Sequence, residues 1–544
     1  MRLGLSPFKS QSVASVETPG FLWTTFTEHA STRKVYVSAA GNDANDGLTE
    51  LTPKLTIAAG GALIRDGYPD WLLLRRGDTF ANQTLSSVSN KGGLDAANKL
   101  LISSYGSGAR PIIDCNAQAW SNSSAKAFIA FTSIEVAILS RTPGEDYLAF
   151  QGFGGHDILF EDVSIHDMGS GFGFQESGGS GRPADHVFRR CQVYDIYTSV
   201  GGGIGIYTSK CDGFVFDECV IDYCGWHAGA GSAATFHNTY FQNDCGPLTF
   251  RNCTSARGPN ESIMARCGGW IDGNLFMASP NIAALLSGNN VAAYATTRAT
   301  FNDNVCIESR FQNLADVHGN CLGVDINGSH HWDFKRNIIA HNTLLPIGSA
   351  GPLRSWSTYD GTTAYGTRGV TDCTFDGNIQ YKWHGQVRLA NDSANPAYFS
   401  DIEWTNNKFH EPYNETNSAG NAQWLMYGSG TFDASVTFAN NTYYSLMASP
   451  MKLGASTYSF AAWNTLVGDT TSVSANISGS YPNPDADIGD YLASIGETNA
   501  NVPWTDIDTL MGLMRVNHKG SWNDAHSGPA VRDWFRANFG LAPV

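Results

Sequence analysis

The sequence predicts an all-β solenoid, a chain wound so that each turn adds short strands to a growing stack. Three observations predict it. Nine short stretches share one grammar: an aromatic or large apolar residue, a polar pair or triplet, then apolar residues again, from "LFEDVSIHD" at Leu159 to "TFANNTYYS" at Thr437. With a weaker tenth copy, "WIDGNLFMA" at Trp270, they recur at steps of 22 to 41 residues around a period near 30, and apolar and polar residues alternate within each copy, the period of strands and not of helices. Finally, like residues fall at like places. Cys191, Cys219 and Cys253 share one position, and Asn274, Asn304, Asn337, Asn378, Asn407 and Asn441 form a candidate ladder. Stacked turns would bring such side chains together, and asparagine amides can satisfy one another and the bend between strands.

Composition agrees and excludes other classes. A chain of 544 residues with 58 Gly and only 15% charged residues is too long for one ordinary compact core, so an elongated repeat or several domains are expected. Aromatic residues at 12% rule out a disordered chain. A net charge of −16 argues against nucleic acid as a partner, and an acidic, aromatic-rich surface suits neutral or hydroxyl-rich ligands. The 11 cysteines are an odd number without dense spacing, so reduced thiols at apolar positions are expected. Cys219/Cys224 and Cys245/Cys253 give no paired zinc pattern; neither a metal nor a cofactor is expected. No run of 18 apolar residues suggests a membrane span, and no export signal is visible in "MRLGLSPFKSQSVASVE".

Residues 1–33 are Ser/Thr-rich and end in "FLWTTFTEH"; they read as a capping or attachment segment. From Lys34, "KVYVSAAGNDANDGLTELTPKLTIAAG" is a short alternating strand, an acidic turn and a Pro-interrupted apolar stretch. Set in a calcium-loop frame with Gly47 at the sixth position, ligand places fall on Asn42, Ala44, Asp46 and Pro53. Two of the four cannot ligate, so the segment reads as a tight turn. The solenoid then spans residues 34–470, with "DWLLLRRGDTF" and "LLISSYGSGARPIID" as its first coils. Residues 471–544 read as a C-terminal cap. "SGPAVRDWFRANFG" is a helix with Ser527 as N-cap, Pro529 in the first turn and Gly540 as the stop; "TDIDTLMGLM" is a second helix. The cap is expected to pack on the last coil.

The repeat spacing, the ladder, the "YVS" strand, the "GNDANDG" turn and the "TPKLTIAAG" stretch resemble right-handed, single-stranded parallel β-helix proteins of the pectate-lyase-like type, over about residues 34–465. That resemblance implies roughly 10–12 coils. The short N-terminal segment and the C-terminal phrases "DIGDYLASIG" and "AVRDWFRANFG" resemble phage tailspikes and phage-like spikes. A spike would be a parallel homotrimer that binds a host surface polysaccharide, cutting it or not. Its N-terminal segment would contact another virion protein, and it would assemble in the host cytoplasm. The alternatives are a stand-alone, secreted polysaccharide lyase or glycoside hydrolase, and a non-catalytic structural or adhesive solenoid.

Candidate site residues follow from strand ends and long loops. Asp167 and Asp195 are equivalent one turn apart, and Asp222 lies one place earlier in the next copy, ahead of Trp226 and His227. Side chains ~5 Å apart in adjacent turns and ~10 Å apart two turns on would suit glycoside hydrolysis by paired carboxylates. Trp226 could stack a sugar and His227 could move a proton. A second cluster holds Glu261, Arg266, Asp272, Asp316, His318 and Asp325; there Arg266 could neutralise a uronate and His318 could take its proton. Arg354 and Trp356 in "RSWSTYD", with "HGQVRLAND" beyond, read as polymer-binding positions. The "DD", "GHG" and "RIK" set of polygalacturonases is absent, and so is a pectate-lyase calcium trio.

Overall fold

The computed structural model describes residues 23–142, 144–198, 203–225, 237–279, 281–288, 291–308, 322–342, 354–359, 369–383, 386–389, 398–411, 424–428, 433–500 and 502–544. Strands dominate, and they pair in parallel, each coil on the next, which is the parallel β-helix the sequence predicts. Each coil contributes a strand to a first face, a tight bend, a strand to a second face, and a third strand after a longer connection. The first two faces form one 26-stranded sheet and the third a 13-stranded sheet. The latter runs from Trp120–Asn122 to Met451–Leu453 in parallel and ends in the antiparallel strand Ser456–Tyr458.

The bend between the first two faces is where the repeat resides. Its first residue is left-handed in coil after coil: Asp162 (φ 59°), Arg190 (50°), Glu218 (55°), Asn252 (56°), Gly273 (66°), Asp303 (59°) and on to Asn440 (56°). Polar residues and glycine hold these places because they tolerate positive φ better than branched side chains. The next residue points inward. In Asn274 through Asn407 the Nδ2 donates to a carbonyl of the preceding coil, and each Oδ1 accepts the backbone N–H of the Asn, or of Cys253, in the coil before. All six ladder asparagines are buried, so each bond replaces one to water and stabilises by ~1 kcal/mol. Asn252 occupies the bend position, and its neighbour Cys253 donates its N–H to Asn274 Oδ1, 21 residues on. The three cysteines and the asparagines are therefore one ladder that changes chemistry at Asn274. Within the described residues ten cysteines are buried.

Phenylalanines stack along the interior: Phe131, Phe160, Phe188 and Phe216 are 5.0, 5.1 and 4.5 Å apart between ring centres. Farther along, Phe375 lies 3.8 Å from Trp404. At the N-terminal end, α1 (Ile57–Ala62) lays Gly60 on Val37 and Leu72, where a Cβ would meet Val37 Cγ2 at 2.5 Å. The acidic turn before it is built as a turn: Asp43 accepts from Leu55 N, Thr56 N and Thr56 Oγ1, and Asp46 from Leu48 N and Thr52 Oγ1.

The C-terminal helices depart from expectation in place, not in kind. The last coil is closed by α2 (Phe460–Leu466), which buries Trp463. Helices α3 (Ile488–Ser494), α4 (Pro503–Val516) and α5 (Gly528–Asn538) run back along the flank of the solenoid. Ser527 caps α5 and Gly540 ends its segment at φ 69°. Leu510, Met514, Val531 and Phe535 pack on Ala256, Met277, Ile307 and Ala340. The outer side of the second face is apolar across those coils, and water would otherwise meet it; burial at ~25 cal/mol per Å² draws the helices there. The N-terminal segment is strapped down too. Thr24 bonds Glu161 at 2.9 and 3.1 Å, Phe26 packs beside Leu101, Ala130 and Leu159, and Trp23 meets Trp522 edge-on at 5.4 Å. No helix among the described residues is long and apolar enough to cross a membrane.

Candidate functional site

Side chains alternate along every strand of the 13-stranded sheet, so one set fills the core and the other lines an outward groove. The pairings place Gln151, Gly173, Tyr207, Tyr240 and Met264 on one outward row. Gly173 leaves a hollow in that row, a cavity of about 280 Å³ walled by Leu148, Gln151, Gln175 and Tyr207. A Cβ at Gly173 would press on Leu148 Cδ2 at 3.2 Å.

Beside the hollow the groove becomes aromatic and charged. Tyr207 and Tyr240 meet edge-on, 5.8 Å between ring centres. Arg266 Nη1 donates to Tyr240 Oη at 2.7 Å, Tyr240 Oη donates to Gln242 Oε1 at 3.2 Å, and Gln242 Nε2 reaches Tyr207 Oη at 3.5 Å. On the other side His237 lies 5.1 Å from the Tyr240 ring, with Nδ1 2.5 Å from Glu261 Oε2. Burial pushes the Tyr207 phenol above its ordinary value. Glu261 begins the strand Glu261–Ala265 and Arg266 follows it, so one strand supplies both ends of the cluster. Phenols, an imidazole and a guanidinium set around an apolar hollow can stack a sugar ring, hold an anion and pass a proton.

The sequence candidates separate into distinct environments. Glu261 and Arg266 are brought together at Tyr240. Asp325 lies on the same outward row three strands beyond Tyr240, bonded by Asn327 Nδ2 at 3.0 Å. Trp356 was expected to meet polymer; it is fully buried and packs edge-on against Phe334 and Phe375 in the core. Its place on the strand has inward parity. The Arg354 backbone belongs to the strand Arg354–Tyr359, while its side chain, with Trp226, His227 and His318, lies outside the described residues.

The aspartate trio does not form a carboxylate pair. Asp222 is fully buried between Arg257 and Arg515, and Arg515 also forks onto Asp195 with two bonds of 2.9 Å. Arg515 belongs to α4, so both aspartates bind the flank helices and not an open groove. Burial opposes ionisation of Asp222, but Arg257 and Arg515 hold its carboxyl below the usual range; burial pushes Asp195 up against the pull of Arg515. Asp167 is turned to His166, with Oδ2 2.7 Å from Nδ1, and His166 Nε2 is 3.1 Å from Glu135 Oε1. Burial alone would lower the imidazole. The bonds to Asp167 and Glu135, with their charges, outweigh it and raise it to about 9. At neutral pH His166 is an imidazolium and cannot act as a base.

Tyr207, Tyr240, His237 and Gln242 were missed. The signal was present: "IYTS" and "TYFQ" alternate in register with tyrosine at the same place. The repeat grammar followed the first two strands of each coil and passed over the third.

No family model and no curated protein matches the chain. Among solved structures it is similar to a rhamnogalacturonan lyase at 16% identity and a TM-score of 0.41, over 68% of this chain and 87% of that one. It is also similar to XylC in complex with xylose (9%, 0.45, 77% of this chain and 85% of that one) and to pectate lyase Pel9A (14%, 0.30, 76% and 78%). Identities this low concern the path of the chain and not its chemistry.

Proposed function

We propose that the protein binds an acidic, uronate-bearing polysaccharide along the groove of the 13-stranded sheet and cleaves it by β-elimination. The observation that carries this reading is the Arg266–Tyr240 hydrogen bond beside the aromatic hollow. Elimination needs three things: a cation to hold the uronate carboxylate, a base for the proton on the carbon next to it, and a proton for the departing oxygen. Arg266 suits the first, and Tyr240 Oη is positioned to exchange the proton, with the His237–Glu261 pair at its flank. Hydrolysis needs two carboxylates about 5–9.5 Å apart. Among the described strands of the groove floor the carboxylates are Glu261, closed against His237, and Asp325, which lies two strands on at ~4.8 Å per strand and three residues farther along at ~3.3 Å per residue, about 14 Å away in all.

The net charge of −16 does not oppose an acidic ligand as strongly as it suggests. Charges beyond the ~8–10 Å screening length at physiological salt contribute little, and Arg266, Arg388 and Lys452 lie on or beside the groove floor.

The test is incubation with polygalacturonate, alginate and hyaluronan beside neutral polymers, reading both the unsaturated-uronate absorbance and new reducing ends. Absorbance growing with the ends on a uronate polymer is the expected result. Ends without absorbance would make the protein a hydrolase, and neither on any polymer would remove cleavage. A finer reading, supported by the sequence resemblance, places this groove on a phage or phage-like virion as a host-binding homotrimeric spike; a monomer in sedimentation of the full-length protein would remove the trimer.

A further inference from the structure

The outward row carrying Tyr240 continues along the sheet through Met264, Leu285, Asp325, Ser357, Arg388, Tyr427 and Lys452. From Tyr240 to Tyr427 is six strand steps, about 29 Å at ~4.8 Å per strand. At that far end the groove is aromatic again. Trp424 and Tyr427 lie 6.1 Å apart and nearly parallel, at 26°. The Lys452 ammonium sits over both rings, 4.0 Å from the Trp424 centre and 5.5 Å from that of Tyr427. Leu425 and Met426 between them are fully buried in the core, which leaves the two rings facing out and half-exposed.

We propose that Trp424, Tyr427 and Lys452 form a second saccharide site, which takes an acidic sugar residue of the same polymer that meets Tyr240 and Arg266. The inference rests on the groove being a uronate-polymer site. The paired rings give an apolar plane for the C–H face of a pyranose, and the ammonium above them is placed for its carboxylate. The strand spacing is close to the length of one pyranose, so an extended glycan can follow the row without changing pitch. Two anchors on one chain raise the effective concentration of the second contact. The far site therefore acts on polymers that span six strands and leaves short fragments alone.

The experiment uses the full-length protein, polygalacturonate and alginate in affinity gels, and tetrasaccharides of each in solution. Trp424→Ala and Lys452→Gln are compared with wild type and with Trp270→Ala, which removes a tryptophan 43% exposed on another face. Both groove variants should be retained about tenfold more weakly by the polymer. Their melting temperatures and tetrasaccharide cleavage should stay at wild-type values, as should everything measured for Trp270→Ala. Unchanged retention of Trp424→Ala and Lys452→Gln overturns the second site. So does equal loss on polymer and tetrasaccharide, which would put these residues in the first site. Wild type retained without cleavage leaves the second site supported by retention and removes only the elimination chemistry. No retention of wild type on either polymer overturns both readings.

Discussion

Asp222→Ala should destabilise the docking of the C-terminal helices by about 3–5 kcal/mol, the usual result of breaking a buried ion pair from one side. Asp222 is fully buried, with Arg257 Nε 2.8 Å from Oδ1 and Arg515 Nε 2.7 Å from Oδ2. Without the carboxylate Arg515 keeps only the partly exposed Asp195 and Arg257 only the exposed Asp508, and the two guanidiniums lose the buried charge between them. A solenoid is held coil by coil, so the loss should appear as release of residues 487–544 before the coils melt. Limited proteolysis with mass spectrometry reads that release directly. Asp195→Ala should cost much less, because its side chain is 35% exposed and Arg515 keeps Asp222. The pH dependence has a definite sign. The folded carboxyl of Asp222 lies below its ordinary 3.8, so its contribution is complete above that value and is lost as pH falls below it toward the folded value. Acid should therefore loosen the helices of wild type, and Asp222→Asn should remove that part of the acid response. A C-terminal segment as protease-resistant in Asp222→Ala as in wild type would show that the apolar contacts alone hold the helices.

Tyr240→Phe should lower kcat on a cleavable uronate polymer by about 10²–10⁴, the range for loss of a positioned proton-transfer group, with little change in KM. The ring stays to meet Tyr207 edge-on, and only the hydroxyl between Arg266 and Gln242 is lost. Arg266→Ala should instead lower kcat and raise KM together, since it removes the cation that would meet the carboxylate in both ground and transition states. Arg266→Lys should restore part of the binding and little of the rate, because an ammonium on a flexible stem does not fix the phenol as the planar guanidinium does. A Tyr240→Phe enzyme within threefold of wild type would move the proton transfer to another group, with His237 the next to test.

The C-terminal helices show how far local signals reach. The N-cap Ser527 and the stop at Gly540 were legible because a cap is made by residues three or four apart. Their docking on the flank depends on strands more than a hundred residues earlier. A trace of it was there: "LFM" at Leu275–Met277 and "VCI" at Val305–Ile307 are apolar at both parities, the mark of a strand buried on two sides. The same docking explains why Asp195 and Asp222 looked like groove residues. An aspartate at a strand end followed by a glycine-rich loop has the same local sequence whether solvent or a helix lies above it.

What the sequence determined by itself was the winding: strand alternation, the bend and the Asn ladder each repeat within one coil, and stacking copies needs no information from farther away. It also set Glu261 and Arg266 five residues apart, in one candidate cluster. Only the tertiary structure decided which outward face was left open. That depends on where the flank helices bury apolar area and on which third-strand residues, Tyr207 and Tyr240 among them, come into register across coils 33 residues apart. Register between coils is set by loops of unequal length, so the matching tyrosines of "IYTS" and "TYFQ" mark two like strands without saying that the strands lie side by side.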